Sequence, residues 1–370
     1  MAGNEGLRDV VAAQSSITSI DGMAGELRYR GYPIEELAEN CTFEQVAYLL
    51  WHGELPDDAQ LHSLESELDR FRQERVDLLD GLDSIPAKAH PLDVLRYYVS
   101  RDALSNPLTA DNDEATNFRK AAQFTAWFPM VVAGLHRVRH GQQPVPPPRD
   151  ADTATAFLSM LWGREPDEVA IRTLTTSLIL HADHELNAST FAARVTIATQ
   201  SNLHAAIASA VGTLAGPLHG GASDRVIRMV EAIGTPDRAE PWVREQFANH
   251  ERIMGFGHAV YRTTDPRARI LRGMAERLLT GTPHEQWVAI LDAVGEVVRE
   301  EKNLYPNVDL FAAIVNHELG IDPAFYSSIF ACSRIVGWTA HAIEQLGGRL
   351  IRPSAEYVGP QPRHLPSPVA

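Results

Sequence analysis

Apolar residues recur at helical spacing through most of this chain, and no other feature constrains its fold so tightly. Leu61, Leu64, Leu68 and Phe71 fall on one helix face that begins after Pro56-Asp57-Asp58. Thr42-Phe43-Glu44-Gln45 has capping-box spacing, and Val46, Leu49 and Leu50 follow on one side. The same period runs through 92–99, 121–138, 169–180, 205–214, 226–233, 290–298 and 325–343. One exception lies near the start. Residues Ile17 to Ile20 alternate, Asp21-Gly22 suit a turn, and Leu27-Arg28-Tyr29 follow, which reads as one short β-hairpin. The expectation is an all-α protein with a marginal N-terminal hairpin. At 370 residues the chain exceeds one small core and suits a large domain with a smaller one attached.

Composition removes several classes of function. A formal net charge of −15 argues against nucleic acid as the main partner, so any anion site must be built from a few converging arginines. Cys41 and Cys332 have no CxxC neighbour, which excludes a thiolate metal site and points to two reduced core thiols. The start lacks a basic segment followed by an apolar one, and no apolar run is long enough to span a membrane. A cytoplasmic protein with no membrane partner is expected, in which the sequon Asn187-Ala188-Ser189 has no role. Gly141-Gln142-Gln143-Pro144-Val145-Pro146-Pro147-Pro148 reads as a stiff surface loop between helices rather than a domain linker.

Chemistry-bearing residues gather in the C-terminal half. In Gly216-Pro217-Leu218-His219-Gly220-Gly221, His219 ends one apolar stretch, and a helix begins around Ala222. A positive dipole end there would favour a neutral imidazole that donates one hydrogen bond, although alone a loop histidine beside a cap is the plainer reading. Gly255-Phe256-Gly257-His258 is a second glycine-flanked histidine, followed by Arg262 and by Asp265-Pro266 as N-cap and first helical residue. Arg267 then falls in the first turn, where a cation opposes the dipole unless it faces an anion; a surface arginine fits as well. His181 and His184, three apart, are expected on one helix face beside Asp183 and Glu185, as a metal cluster or a buried polar network. Asp309, in Pro306-Asn307-Val308-Asp309, is either an early helix residue or, beside two histidines, a base.

In their order and spacing these stretches resemble the citrate synthase family, from Leu27-Arg28-Tyr29-Arg30-Gly31 to Arg352-Pro353-Ser354. The resemblance implies a large helical domain, residues 1–221 and 322–370, and a small helical domain, residues 222–321, that closes over the active site. It implies condensation of acetyl-CoA with oxaloacetate and water to citrate and CoA, the entry step of the tricarboxylic acid cycle. Through GPLHGGA, His219 would hydrogen-bond the thioester oxygen. Through GFGH, His258 would polarise the oxaloacetate keto oxygen, and through PNVD, Asp309 would remove the methyl proton. His184, His258, Arg267 in DPR, Arg334 in SR and Arg352 in RPS would hold oxaloacetate, with Arg352 supplied by the other subunit of a homodimer. Arg262 and the loop of Met254, Gly255, Phe256 and Gly257 would bind CoA. No metal and no cofactor is implied, since acetyl-CoA is a substrate.

Some members are hexamers with an added N-terminal region and NADH control; the shorter start here suggests a dimer without it. 2-Methylcitrate synthase, acting on propionyl-CoA with the same residues, is the near alternative. HADHEL and GPLHGG favour acetyl-CoA over it, because its members often resemble YAEHEF and GPKHGG. From other classes come a metal-dependent phosphohydrolase built on His181-Ala182-Asp183-His184 and a non-catalytic CoA-binding protein. Neither explains His219, Arg334 and Arg352 together.

Overall fold

A computed structural model of the chain describes residues 10–219 and 223–363. Strand β1 (Thr18–Asp21) pairs antiparallel with β2 (Glu26–Tyr29), and Thr18 lies opposite Tyr29. The expected hairpin is extended by β3 (Tyr32–Pro33), which makes a three-stranded meander. Two residues are too few to show alternation, so the third strand left no periodic signal. The first turn is also wider than Asp21-Gly22. The Asp21 carboxylate accepts from the backbone N–H of Met23 and Ala24, and Gly25 closes the loop with a φ of +71°.

Helices α1 (Ile34–Asn40), α2 (Phe43–His52) and α3 (Asp58–Glu74) follow. Thr42 and Gln45 form the expected capping box, and Asp57 with Gln60 forms a second, each satisfying N–H groups that the helix itself leaves unpaired. Then come α4 (Pro91–Ser105) and α5 (Glu114–Arg139). The proline-rich stretch after α5 is a loop packed on its surroundings, because Arg137 and Gln73 donate to the carbonyls of Gln143 and Pro147. Beyond it lie α6 (Thr153–Trp162), α7 (Glu168–His181), α8 (Ala188–Ile197) and α9 (Leu203–Leu214). The remaining helices are α10 (Ser223–Ile233), α11 (Ala239–Ala248), α12 (Pro266–Leu279), α13 (Trp287–Lys302), α14 (Val308–Glu318) and α15 (Tyr326–Leu346).

Helix α15 packs on α2, α4, α5, α7, α8 and α9 and so forms the axis of the larger body. Trp338 of α15 and Phe124, Trp127 and Phe128 of α5 are almost fully buried; each such phenylalanine contributes about 1.5–3 kcal/mol. Helices α10 to α14 pack largely on one another, α12 and α10 on α14 and α11 on α13. They meet the rest mainly through α12, which touches α7 and α1. Both cysteines are free thiols, and among the described residues no helix is long and apolar enough to cross a membrane.

Candidate active site

Helix α7 stops at His181, so His181 and His184 do not share a helix face as their spacing suggested. The Tyr29 hydroxyl, brought in by β2, lies 2.8 Å from the Asp183 carbonyl and 3.2 Å from that of Ile179. It serves carbonyls that another helical turn would have used. Glu185, with a φ of +53°, completes the turn. His181 keeps its ring inside the helix, with Nδ1 2.7 Å from the Ser177 carbonyl. His184 swings away: its Nε2 is 3.3 Å from the Tyr261 hydroxyl, and its ring centre is 5.1 Å from that of His258. Burial, then Arg267 and His258, hold the His184 pKa well below the ordinary value, so the ring is neutral.

The loop before His258 depends on glycine. Gly255 and Gly257 have φ of +83° and +80°, and a Cβ on Gly255 would lie 2.5 Å from Leu310 Cδ1. That close approach lets the loop lie against the start of α14. Gly257 N–H donates to the Tyr305 carbonyl at 2.8 Å, and Asn307 N–H to the Gly255 carbonyl at 2.9 Å. The two stretches that carry His258 and Asp309 are thereby fastened together. His258 Nδ1 accepts from the backbone N–H of Val260 and Tyr261, at 3.0 and 3.3 Å, which leaves the proton on Nε2. Burial and then Arg267 lower its pKa to about 4. At neutral pH His258 is an uncharged donor.

His219 is fixed in the opposite tautomer. Backbone N–H of Ser189, in the first turn of α8, donates to His219 Nε2 at 3.3 Å, and the Ser189 hydroxyl lies 2.8 Å from the same atom. A backbone N–H can only donate, so Nε2 is the acceptor and Nδ1 carries the proton. Burial and then Arg334 lower the His219 pKa. The helix dipole expected to do this would act through residues 220–222, which lie outside the described residues. His219 and Asp309 line one cleft, together with Leu178, Ala312, Ile329 and Phe330. Burial raises the Asp309 pKa and Arg267 only partly opposes it, making this a more basic carboxylate than an exposed one.

Two buried cations flank this group. Arg267 does face an anion, but that anion is its own helix cap: Nε and Nη2 pair with the two Asp265 oxygens at 3.0 and 2.7 Å. Arg334, 1% exposed, donates Nε–H to the His181 carbonyl at 2.7 Å and lies over the Phe330 ring. It makes no ion pair with any described carboxylate, and burial lowers its pKa to about 10. A buried guanidinium without a carboxylate partner is costly, and an anion placed there would offset that cost. Arg262 is exposed, and its backbone N–H donates to the Gly22 carbonyl at 2.8 Å. Arg352 is not brought to this cleft; it lies exposed after α15, in a groove with Arg194 and Glu344.

Sequence reasoning missed Ser189, Tyr261 and Asp265 as parts of the site. Ser189 stood in the dismissed sequon, and its position just after the Asn187 N-cap was the available signal. The side chains of the His181–His184 stretch diverge: the Asp183 carboxylate faces Thr18 and His341, not the two imidazoles. Among the described residues no group of three His, Cys, Asp or Glu side chains is placed to hold a metal ion.

A family model described as "Citrate synthase, C-terminal domain" matches residues 6–354. Citrate synthase 2 of Bacillus subtilis is 42% identical over 362 residues, covering 97% of each chain. A 2-methylcitrate synthase of Mycobacterium tuberculosis is 40% identical over 365 residues, covering 98% of this chain and 92% of that one. Among solved structures, the ternary complex of citrate synthase from Thermoplasma acidophilum with carboxymethyl coenzyme A and oxaloacetate superposes with a TM-score of 0.90. It is 32% identical and covers 98% of both chains.

Proposed function

The chain belongs to the citrate synthase family and is an acyl-transferring condensing enzyme, and on that premise we propose that it joins acetyl-CoA to oxaloacetate and water, giving citrate and CoA. The observation that carries the reading is Arg334, buried without a carboxylate beside neutral imidazoles, next to a cleft that holds a basic aspartate. Oxaloacetate is a dianion, and Arg267 and Arg334 supply its counter-charge, joined by an Arg352 contributed by the second subunit of a homodimer. His184 and His258 orient its keto group, which lowers the entropic part of the barrier.

A thioester methyl is a far weaker acid than a carboxylic acid, so Asp309 needs help to take its proton. The Nδ1–H of His219 donates to the thioester oxygen as negative charge develops there, a donor worth about 3–4 kcal/mol in comparable sites. The enol carbon then attacks the keto carbon of oxaloacetate, and the Nε2–H of His258 passes its proton to the oxygen that becomes the hydroxyl; the methyl proton held by Asp309 restores the neutral imidazole. Water cleaves the resulting citryl thioester and releases CoA. Arg262 meets the CoA phosphates and the Met254–Gly257 loop its adenine. No metal or cofactor has a part in these steps. Closure of residues 222–321 over the remainder completes the site, because His258 and Asp309 lie on one side and His184 and Arg334 on the other. The reaction is placed in the cytoplasm, as entry to the tricarboxylic acid cycle.

One observation favours a second reading, 2-methylcitrate synthesis from propionyl-CoA: relatives of both names match at nearly equal identity. One methylene separates the donors, about 1–3 kcal/mol of discrimination. CoA-thiol release with oxaloacetate and either thioester, with and without EDTA, tests both. The expected result is a higher kcat/KM for acetyl-CoA that ignores EDTA. Preference for propionyl-CoA would establish the second reading. Loss of activity with EDTA would revive a metal-dependent site, and no release with either donor would overturn both readings.

A further inference from the structure

Beneath the loop that carries His184 runs a chain of buried groups that the condensation does not use. Asp183 Oδ2 accepts from the Thr18 hydroxyl at 2.6 Å and from the Glu185 N–H at 3.1 Å, and lies 3.2 Å from His341 Nε2. Asp183 and His341 are both fully buried. On the far side of the imidazole, Arg194 Nη1 is 2.9 Å from His341 Nδ1. An arginine only donates, so Nδ1 is the acceptor, and the single ring proton sits on Nε2, aimed at Asp183. Arg194 is itself held by Glu344 Oε2 at 2.6 Å, Gln345 Oε1 at 2.9 Å and the Gln14 carbonyl at 3.3 Å.

All these contacts converge on one face of α15. Arg334 grips the His181 carbonyl, the Gly337 N–H donates to the Ala182 carbonyl at 3.1 Å, and His341 meets Asp183. Three residues at helical spacing thus take hold of three consecutive residues before His184. A Cβ at Gly337 would collide with the Ala182 carbonyl and with Asp183 Oδ1, so the loop is seated directly on the helix.

We propose that His341, locked in its Nε2–H tautomer by Arg194, is a positioning residue for oxaloacetate: through Asp183 it fixes the turn that aims the His184 ring at His258 and Tyr261. The role rests on oxaloacetate being the ligand at His184. Because the relay touches the oxaloacetate side and not the cleft of His219 and Asp309, it acts on one substrate of two. In the full-length protein, His341→Ala should raise the KM and the Kd for oxaloacetate about tenfold, the effect of removing one buried hydrogen-bond partner. The KM for acetyl-CoA should stay within about twofold. His341→Gln, whose amide can donate to Asp183, should restore most of the affinity. A merely structural role would move both KM values together, or lower thermal stability with oxaloacetate affinity intact; either result overturns the proposal. If the alanine variant does not fold, Thr18→Val decides, since it removes another donor to the same oxygen. It should raise the oxaloacetate Kd selectively, and an unchanged Kd overturns the proposal. Failure of the wild type to bind oxaloacetate would instead sink the reading of the site itself.

Discussion

Burial makes Asp309 a more basic carboxylate than an exposed one, which suits the proton abstraction proposed for it. Its folded pKa lies above its unfolded value, so the base form is lost as pH falls through a range higher than that of an exposed aspartate, about 3.9. His258 charges only near pH 4. The acid limb of kcat/KM should therefore lie above the exposed-aspartate value; a profile flat down to that value would contradict the assignment. The same shift has a cost in stability. The unfolded chain releases this proton more readily, so ionised Asp309 disfavours the fold above its folded pKa; the penalty fades as pH falls from the folded toward the unfolded value and is gone below the latter. Asp309→Asn should then raise the Tm at neutral pH, and a lower Tm would count against a costly buried charge. Asp309 and His258 were legible because their neighbours Pro306-Asn307 and Gly255-Phe256-Gly257 are unusual. Ser189 and Tyr29 were not, since one acts through a backbone N–H and the other through a turn that forms only in the fold.

Among the elements, the loop of Met254–Gly257 is the most exacting. Gly255 combines a φ of +83° with contact against Leu310, so Gly255→Ala should cost about 1–3 kcal/mol locally and push the loop off α14. The expected readout is a rise in the KM for acetyl-CoA that exceeds any change for oxaloacetate. An unaltered acetyl-CoA KM would detach this loop from CoA binding. Helices with a one-sided apolar stripe, such as α3, were readable, as were the capping boxes and the Asp265-Pro266 start of α12. Helices α6 and α8 were not, because alanine, threonine and serine on both faces blur the period.

At the scale of the whole molecule, a single chain brings His219 and Asp309 into one cleft and sets His184 against His258, but leaves Arg352 outside. Sequence patterns could place that arginine in a motif, but where it acts is a matter of assembly that no local pattern encodes. If Arg352 acts across subunits, mixing Arg352→Ala with Asp309→Asn protein creates one whole site per mixed dimer, and turnover should appear where neither parent has any. No complementation, with mixed dimers shown to form, would place Arg352 in its own chain's site or in none.

The proposed reaction requires an aspartate, a thioester and oxaloacetate to meet at one site. The most direct test is CoA-thiol release from acetyl-CoA by wild-type and Asp309→Asn protein, each with and without oxaloacetate, beside a measured Kd for oxaloacetate. The wild type should release thiol only when oxaloacetate is present. Asp309→Asn should bind oxaloacetate as before yet turn over about 10²–10⁴-fold more slowly. Release that ignores oxaloacetate, or a variant as fast as wild type, would contradict the account.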